Sequence, residues 1–220
     1  VVGTLAEDRE ITGSWALFAD WDQTITMRKG IETLYPQADV TFFASDDVTD
    51  NMLAEAKTAD VVIMALGENQ RPSGESQSKA DISLPKAHAA LFNAVHAVNP
   101  RIVTVLFGGR PLAVPALAAR THALVEAWLP GSCGFYALAD ILVGKVNPSG
   151  KLNETWPIAL ADNPSYPYYP SRERTAEHRE GLYIGYRYYD TVGKEVRYPF
   201  GYGLSYTTFA YSDIKASKDE

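Results

Sequence analysis

The chain has 220 residues and a mass of 24.1 kDa, with 46% hydrophobic and 21% charged residues, the make-up of a globular domain with one large core. Its net charge of -7 argues against nucleic acid or an anionic membrane as a partner. No stretch approaches the roughly 18 apolar residues of a membrane span, and a single cysteine, Cys133, excludes an internal disulfide.

Short apolar runs alternate with helical patterns over the first 145 or so residues. Such unalternated runs are typical of strands covered on both faces. Predicted strands lie at residues 1–2, 40–43, 61–66, 102–107 and 123–128. Apolar residues at helical spacing predict helices around Met27, Ile31 and Leu34, around Ala87, Leu91, Val95 and Val98, and around Ala137, Leu138, Ile141 and Leu142. Ser83 and Pro85 mark the predicted start of the second helix. The alternation predicts an α/β sandwich, a mostly parallel sheet covered by helices on both faces.

The character of the chain changes near residue 151. Eleven of the 13 tyrosines lie beyond residue 165, mixed with proline and arginine and with little helical period. We therefore expect an α/β core at 1–150, an irregular, aromatic-rich extension packing on it at 151–212, and a linker at 213–220. The chain starts without a methionine and as if at the end of a strand, so we expect a piece of a longer polypeptide.

The candidate functional residues follow predicted strands, and sites in parallel sheets lie at the carboxyl ends of the strands. Glu68, Glu75, residues 108–110 and residues 131–134 are therefore expected to face one crevice. Glu75 is a lone carboxylate in a small, polar loop. As a proton donor to a glycosidic bond it would need a second carboxylate facing it. A solvated loop acid is the other interpretation, since nothing local guarantees the burial or nearby negative charge that a general acid requires.

Other candidate sites have weaker support. Cys133 at a helix start, with His122 nearby, is conceivable as a cysteine hydrolase, but the G-x-S-x-G elbow is missing and a small buried thiol is the favoured interpretation. His88 and His96 lie two helical turns apart, too far to share a metal. The tyrosines of the extension could stack on sugar rings, although structural packing is favoured. Residues 201–203 are interpreted as a tight turn.

Several motifs together point to a known family. In chain order they are Gly67-Glu68, Ser73-Gly74-Glu75, Asp81 through Pro85, Gly108-Gly109-Arg110-Pro111-Leu112, Trp128-Leu129-Pro130-Gly131, Ala139-Asp140-Ile141-Leu142-Val143-Gly144, Asn147-Pro148-Ser149-Gly150-Lys151-Leu152, residues 180–190 and residues 198–207. This order resembles the second, α/β-sandwich domain of the glycoside hydrolase family 3 β-glucosidases, and the resemblance covers nearly the whole chain. The segments at 147–150 and 199–206 are the most specific.

The resemblance implies a retaining, exo-acting β-glycosidase that hydrolyses a β-glucoside or another β-linked saccharide without a metal or cofactor. The nucleophilic aspartate belongs to a (β/α)₈-type barrel domain of the same polypeptide, and a fibronectin-type domain often follows the sandwich. In relatives the Ser-Gly-Glu loop supplies the general acid/base, which is Glu75 here, with Glu68 as a second choice. Ala19-Asp20-Trp21 looks like the nucleophile segment but lies in the wrong domain. We expect the chain alone to be inactive; the alternative is a noncatalytic carbohydrate-binding or interaction module.

The chain departs from the family pattern at one loop. Relatives usually read Pro-Gly-x-Glu-Gly-Gly-Asn-Ala, whereas residues 130–137 place Cys133 where the glutamate stands and Phe135-Tyr136 where the Gly-Asn pair stands. Because this loop lies near the domain contact in the family, the changes bear on substrate preference.

Overall fold

The computed structural model of the chain describes residues 1–16, 18–171 and 173–217. The strands are β1 Val62–Gly67, β2 Ile102–Phe107 and β3 Ala123–Trp128. The helices are α1 Met27–Leu34, α2 Asp50–Thr58, α3 Lys86–Val98, α4 Pro115–Ala118, α5 Gly134–Leu142 and α6 Tyr186–Val192. None of these helices combines the length and apolarity needed to cross a lipid bilayer.

The three strands form a parallel sheet in the order β1-β2-β3, so the predicted parallel α/β fold is confirmed. Val2 extends the sheet beyond β1, because it forms parallel bridges with both Met64 and Phe43. The predicted strands at 102–107 and 123–128 are present as predicted, whereas the one at 61–66 is shifted by one residue. The predicted strand at 40–43 is reduced to a bridge at Phe43.

Helices cover both faces of the sheet, as the apolar runs predict. Side chains of a strand alternate between faces, and in β1 the buried Met64 and Leu66 pack on the side of α2 and α3. Ala65, between them, packs on the opposite side with residues of α1 and α5. Both strand faces are therefore buried, which explains why β1 and β2 carry no alternating polar residues.

Helix starts follow local capping chemistry. The hydroxyl of Thr26 accepts a hydrogen bond from the Lys29 amide at 3.2 Å, which caps α1. α3 begins at Lys86 directly after Pro85. Ser83, a predicted start signal, instead forms a β-bridge with Ala113, so the helix starts later than its serine indicated.

The chain beyond residue 150 returns to the core. Trp156 is buried in the cluster on the α2 and α3 side, and its amide donates a hydrogen bond to the Tyr198 carbonyl at 2.9 Å. α6 lies within the region predicted to be irregular; its sequence lacks an apolar stripe, and it ends at Gly193 with φ +63°. The domain bounds at 150 and 212 stay a prediction, and residues 218–220 of the predicted linker lie outside the described residues.

Candidate active site

The loop that contains Glu75 starts at Gly67, the last residue of β1. Gly67 has φ +120°, and a Cβ on it would lie 2.0 Å from the Phe107 carbonyl oxygen. Its amide donates a hydrogen bond to Nδ1 of the buried His88 at 3.0 Å. Only glycine fits this position. The chain therefore leaves the strand at a fixed point, directly before Glu68.

Glu75 lies at the tip of this loop and is exposed. The tip is a tight turn in which the Gln77 amide donates a hydrogen bond to the Gly74 carbonyl at 3.3 Å. Gly74 and Ser76 adopt positive φ values of +95° and +62° on either side of Glu75. A Cβ on Gly74 would lie 2.7 Å from Cβ of Ser14, so the loop packs closely on the segment that contains Ser14. Glu75 is therefore an exposed residue on a packed turn.

Glu75 borders a cavity of about 570 Å³ together with two tryptophans. Trp15 is 67% exposed and Trp21 is 42% exposed, which is unusual for such large side chains. An aromatic face beside a carboxylate suits the C–H faces of a sugar ring. The sequence alone gave no reason to pair these tryptophans with Glu75, because they lie more than 50 residues away along the chain.

Glu68 is buried, with 2% of its side chain exposed, and it lies between two cations. One carboxylate oxygen forms an ion pair with Lys79, and the other lies 3.2 Å from Nε of Arg110. Arg110 in turn donates hydrogen bonds to the Pro72 carbonyl and to the Ser73 hydroxyl, the latter at 3.3 Å. Burial, and then the Arg110 guanidinium, lower the pKa of Lys79. A buried, doubly ion-paired carboxylate is unsuited to proton transfer with a substrate, which disfavours the second choice, Glu68, as an acid/base.

Direct contacts join three of the four segments that were expected to face one crevice. Glu68, the loop of Glu75 and Arg110 come together at the ends of β1 and β2. The segment at 131–134 has separate contacts: the Gly131 amide donates to the Ile11 carbonyl at 3.1 Å, and the Ser132 carbonyl accepts from the Ile25 amide at 2.8 Å.

The structure disfavours a cysteine hydrolase. His122 precedes the first residue of β3 and Cys133 follows its last residue. A six-residue strand separates them by about 20 Å. Cys133 is exposed, so the prediction of a buried thiol is wrong. The apolar role of this loop falls to Phe135, which is buried against Phe107 with ring centroids 5.5 Å apart.

The histidines have structural contacts. His88 lies 3.2 Å from Asp46 through Nε2, in addition to its bond with Gly67, and His96 packs on Phe92 with ring centroids 5.7 Å apart. Within the part of the chain that the structure describes, no three histidine, cysteine, aspartate or glutamate residues are grouped as metal ligands would be.

Glu126 is a further carboxyl at the end of the sheet, and sequence reasoning missed it. It lies in β3 and accepts a hydrogen bond from the Trp128 amide at 2.8 Å. Burial raises the pKa of Glu126 to about 8, against the opposing effect of that hydrogen bond. A glutamate inside the apolar run 123–128 was the available signal.

The two most specific motifs lie against each other. The amide of Tyr206 donates to the side-chain oxygen of Asn147 at 2.7 Å, and a Cβ on Gly203 would lie 2.5 Å from the Gly150 carbonyl oxygen. The tight turn predicted at 201–203 lies slightly earlier, at 199–202, where Gly201 has φ +78° and the Tyr202 amide donates a hydrogen bond to the Pro199 carbonyl at 3.0 Å. The motifs are thus one packed unit, which explains why both are long.

Known proteins match this chain along nearly its whole length. The family model for the glycosyl hydrolase family 3 C-terminal domain matches residues 1–206. Thermostable beta-glucosidase B of Acetivibrio thermocellus is 42% identical over 80% of this chain and 24% of its own length. An exo-alpha-(1->6)-L-arabinopyranosidase of Bifidobacterium longum is 42% identical over 74% of this chain and 22% of its own length. The crystal structure of the Bifidobacterium adolescentis GH3 beta-glucosidase superposes with a TM-score of 0.84 at 36% identity, covering 95% of this chain and 32% of that one.

A parallel α/β sandwich with a loop carboxylate at its strand ends, matched in this way, is a domain of a glycoside hydrolase. More particularly, the chain belongs to glycoside hydrolase family 3 and corresponds to its C-terminal domain. It spans only 24% and 22% of the length of the two curated relatives described above.

Proposed function

We propose that this chain supplies the general acid/base, Glu75, of a retaining, exo-acting β-glycosidase of the β-glucosidase type. The nucleophile would come from a (β/α)₈-type barrel domain of the same polypeptide. The observation that supports this most directly is the placement of Glu75: it is exposed at the tip of a packed turn, beside a cavity of about 570 Å³ bordered by Trp15 and Trp21.

The proposed reaction has two steps. First, Glu75 transfers its proton to the glycosidic oxygen while the barrel aspartate bonds to the anomeric carbon, so the C–O bond breaks and the leaving alcohol departs. Second, the Glu75 carboxylate takes a proton from water, whose oxygen bonds to the anomeric carbon and displaces the aspartate. Retention requires the two carboxyl groups to lie roughly 5–5.5 Å apart.

The exposure of Glu75 supports the proposed need for a second domain. A general acid acts near neutral pH when burial or a neighbouring negative charge favours its protonated form. Glu75 is exposed in this chain. A facing domain would supply both conditions, through an apolar wall and through the nucleophilic carboxylate. We therefore expect the 220-residue chain alone to show negligible hydrolysis of p-nitrophenyl β-glucoside.

The test is Glu75→Ala in the polypeptide that joins this chain to a barrel domain. Turnover of cellobiose, which has a poor leaving group, should fall by roughly 10²–10⁴-fold, because such a group departs only when protonated. Hydrolysis of 2,4-dinitrophenyl β-glucoside should fall far less, and added azide should restore activity by replacing water in the second step. The exposed glutamate Glu55 on α2 offers a matched control, and Glu55→Ala should leave both activities unchanged. Equal losses on both substrates in Glu75→Ala would rule out the acid role.

A noncatalytic carbohydrate-binding module is the second candidate, and the exposure of Trp15 and Trp21 beside the cavity favours it. Tryptophan fluorescence of the chain titrated with cellobiose separates the two functions. A saturable signal lost in Trp15→Ala, combined with full activity of Glu75→Ala in the longer polypeptide, would favour binding over catalysis.

A further inference from the structure

Both limbs of the Glu75 loop are tied to one buried carboxylate. Glu68 lies at the start of the loop, directly after β1, and only 2% of its side chain is exposed. Lys79, on the limb that follows Glu75, forms an ion pair with one of its oxygens. Arg110, which follows β2, lies against the other oxygen at 3.2 Å.

Arg110 extends this connection to the limb that precedes Glu75. Its terminal nitrogen donates hydrogen bonds to the Pro72 carbonyl and to the Ser73 hydroxyl, while Nε faces Glu68. The planar fork of a guanidinium can make contacts in two directions at once, which the single ammonium of a lysine cannot reproduce. Gly109 permits the approach, because a Cβ there would lie 2.6 Å from the Ser73 hydroxyl oxygen.

Ion pairs hold Glu68, Lys79 and Arg110 together. Among the described residues, neither carboxylate oxygen of Glu68 receives an aligned hydrogen bond, although each contacts a cation. Lys79 and Arg110 are themselves largely buried, with 26% and 22% of their side chains exposed. Two positive charges in one partly desolvated site repel each other, and a negative charge between them offsets that repulsion. Glu68 is thus what allows both limbs to be held at the same place.

We infer that Glu68, Lys79 and Arg110 form a clamp that positions Glu75 for proton transfer. None of the three is a catalytic residue; each acts through the backbone of the loop. The inference rests on the proposed function of Glu75, and it adds three positioning residues to it. The clamp matters because a displacement of about 1 Å in a catalytic group costs on the order of 10²-fold in rate.

The first experiment measures amide hydrogen exchange in the 220-residue chain, so it does not depend on catalysis. Glu68→Gln should raise exchange of residues 70–80 by about tenfold or more. Arg110→Lys should raise exchange mainly at 73–75, and Lys79→Met mainly at 77–80, since each variant releases one limb of the loop. Unchanged exchange in the loop of all three variants would overturn the clamp.

Two further variants separate positioning from stability. Asp140→Asn is the control, because Asp140 is another ion-paired carboxylate, with Lys145 as its partner and 19% of its own side chain exposed. This variant should leave hydrogen exchange in the Glu75 loop unchanged. The double variant Glu68→Gln with Lys79→Met removes one positive and one negative charge. It should regain most of the thermal stability lost in Glu68→Gln but retain fast exchange in the loop. Recovery of both properties together would contradict the inference.

The second experiment measures kinetics in the polypeptide that includes the barrel domain. Arg110→Lys should lower kcat on cellobiose by about 10–100-fold with little change in KM, and should spare 2,4-dinitrophenyl β-glucoside. Equal losses on both substrates would overturn the positioning role. The two proposals fail differently: if Glu75→Ala retains full activity, Glu75 is not the acid/base, whereas if only Arg110→Lys behaves as wild type, the clamp is wrong.

Discussion

Two carboxyl groups near the ends of β1 and β3, the two strands on either side of β2, have opposite surroundings. Glu68 follows β1 and lies between the cations of Lys79 and Arg110. Glu126 lies in β3, where its hydrogen bond comes from the Trp128 amide at 2.8 Å and burial raises its pKa to about 8. The same side chain therefore lies between two cations near the end of one strand and favours its protonated form in another.

Burial alone does not determine the structural role of a carboxyl group. Desolvation disfavours the charged form of any carboxyl, and only nearby positive charges or several hydrogen bonds reverse this effect. Glu68 has two cations from two different segments, so it ties a loop to the sheet. Glu126 has one backbone donor from its own strand, so it holds only the local chain. Breaking each environment should give effects of different size and sign.

The largest effect is expected for Glu68→Gln. The substitution leaves Lys79 and Arg110 close together without a counter-charge, and breaking such a buried arrangement costs on the order of 3 kcal/mol. Urea unfolding of the 220-residue chain near pH 7 should show the loss as a lower midpoint with an unchanged slope. A loss under about 0.5 kcal/mol would place Glu68 with ordinary surface ion pairs and abolish the contrast.

An intermediate effect, dependent on pH, is expected for Glu126→Gln. Burial raises the pKa of Glu126 from 4.5 to about 8 in the folded chain, so the folded state holds a proton that the unfolded state has lost between these pH values. Stability from this group is therefore complete below pH 4.5, falls as the pH rises, and is fully lost above about pH 8. Because Glu126 is only partly buried, we expect a fall of about 2 kcal/mol.

The matched measurement compares the unfolding free energies of the wild type and of Glu126→Gln at pH 5 and pH 8.5. Glutamine keeps the acceptor for the Trp128 amide without titrating, so the variant should lose about 2 kcal/mol less than the wild type between these two pH values. An equal change of unfolding free energy in the two proteins would show that burial does not raise the pKa of Glu126.

The smallest effect is expected for Glu10→Gln, which removes the ion pair between Glu10 and Arg71, a residue of the Glu75 loop. Arg71 is 74% exposed in its side chain, so water replaces the lost partner. We expect less than about 1 kcal/mol in unfolding free energy, and less still at high salt. A loss of unfolding free energy as large as that of Glu68→Gln would show that the exposed Glu10–Arg71 pair, and not the buried cluster around Glu68, holds the loop.

The sheet was predictable from sequence because buried parallel strands leave long apolar runs, and 102–107 and 123–128 were located without error. The helix α2 was not predicted, since its nine residues include only two that are buried, Met52 and Ala56. The placement of Glu75 in a polar loop was also readable. Its surroundings were not, because Trp15 and Trp21 border the same cavity from a distant part of the chain and Arg110 contacts the loop at Pro72 and Ser73. No local sequence pattern records which strand ends are neighbours.

Gly67 and the tip of the Glu75 loop should differ in how well they tolerate substitution. Its amide is bonded to His88, and its Cα faces the Phe107 carbonyl so closely that a methyl group would lie 2.0 Å away. Any side chain there would push β1 and β2 apart, whereas the exposed positions Ser76 and Gln77 lie at the loop tip, beyond the buried cluster. In a mutational library Gly67 should tolerate no other residue, whereas the exposed Gln77, which lacks the positive φ of Gly74 and Ser76, should tolerate many.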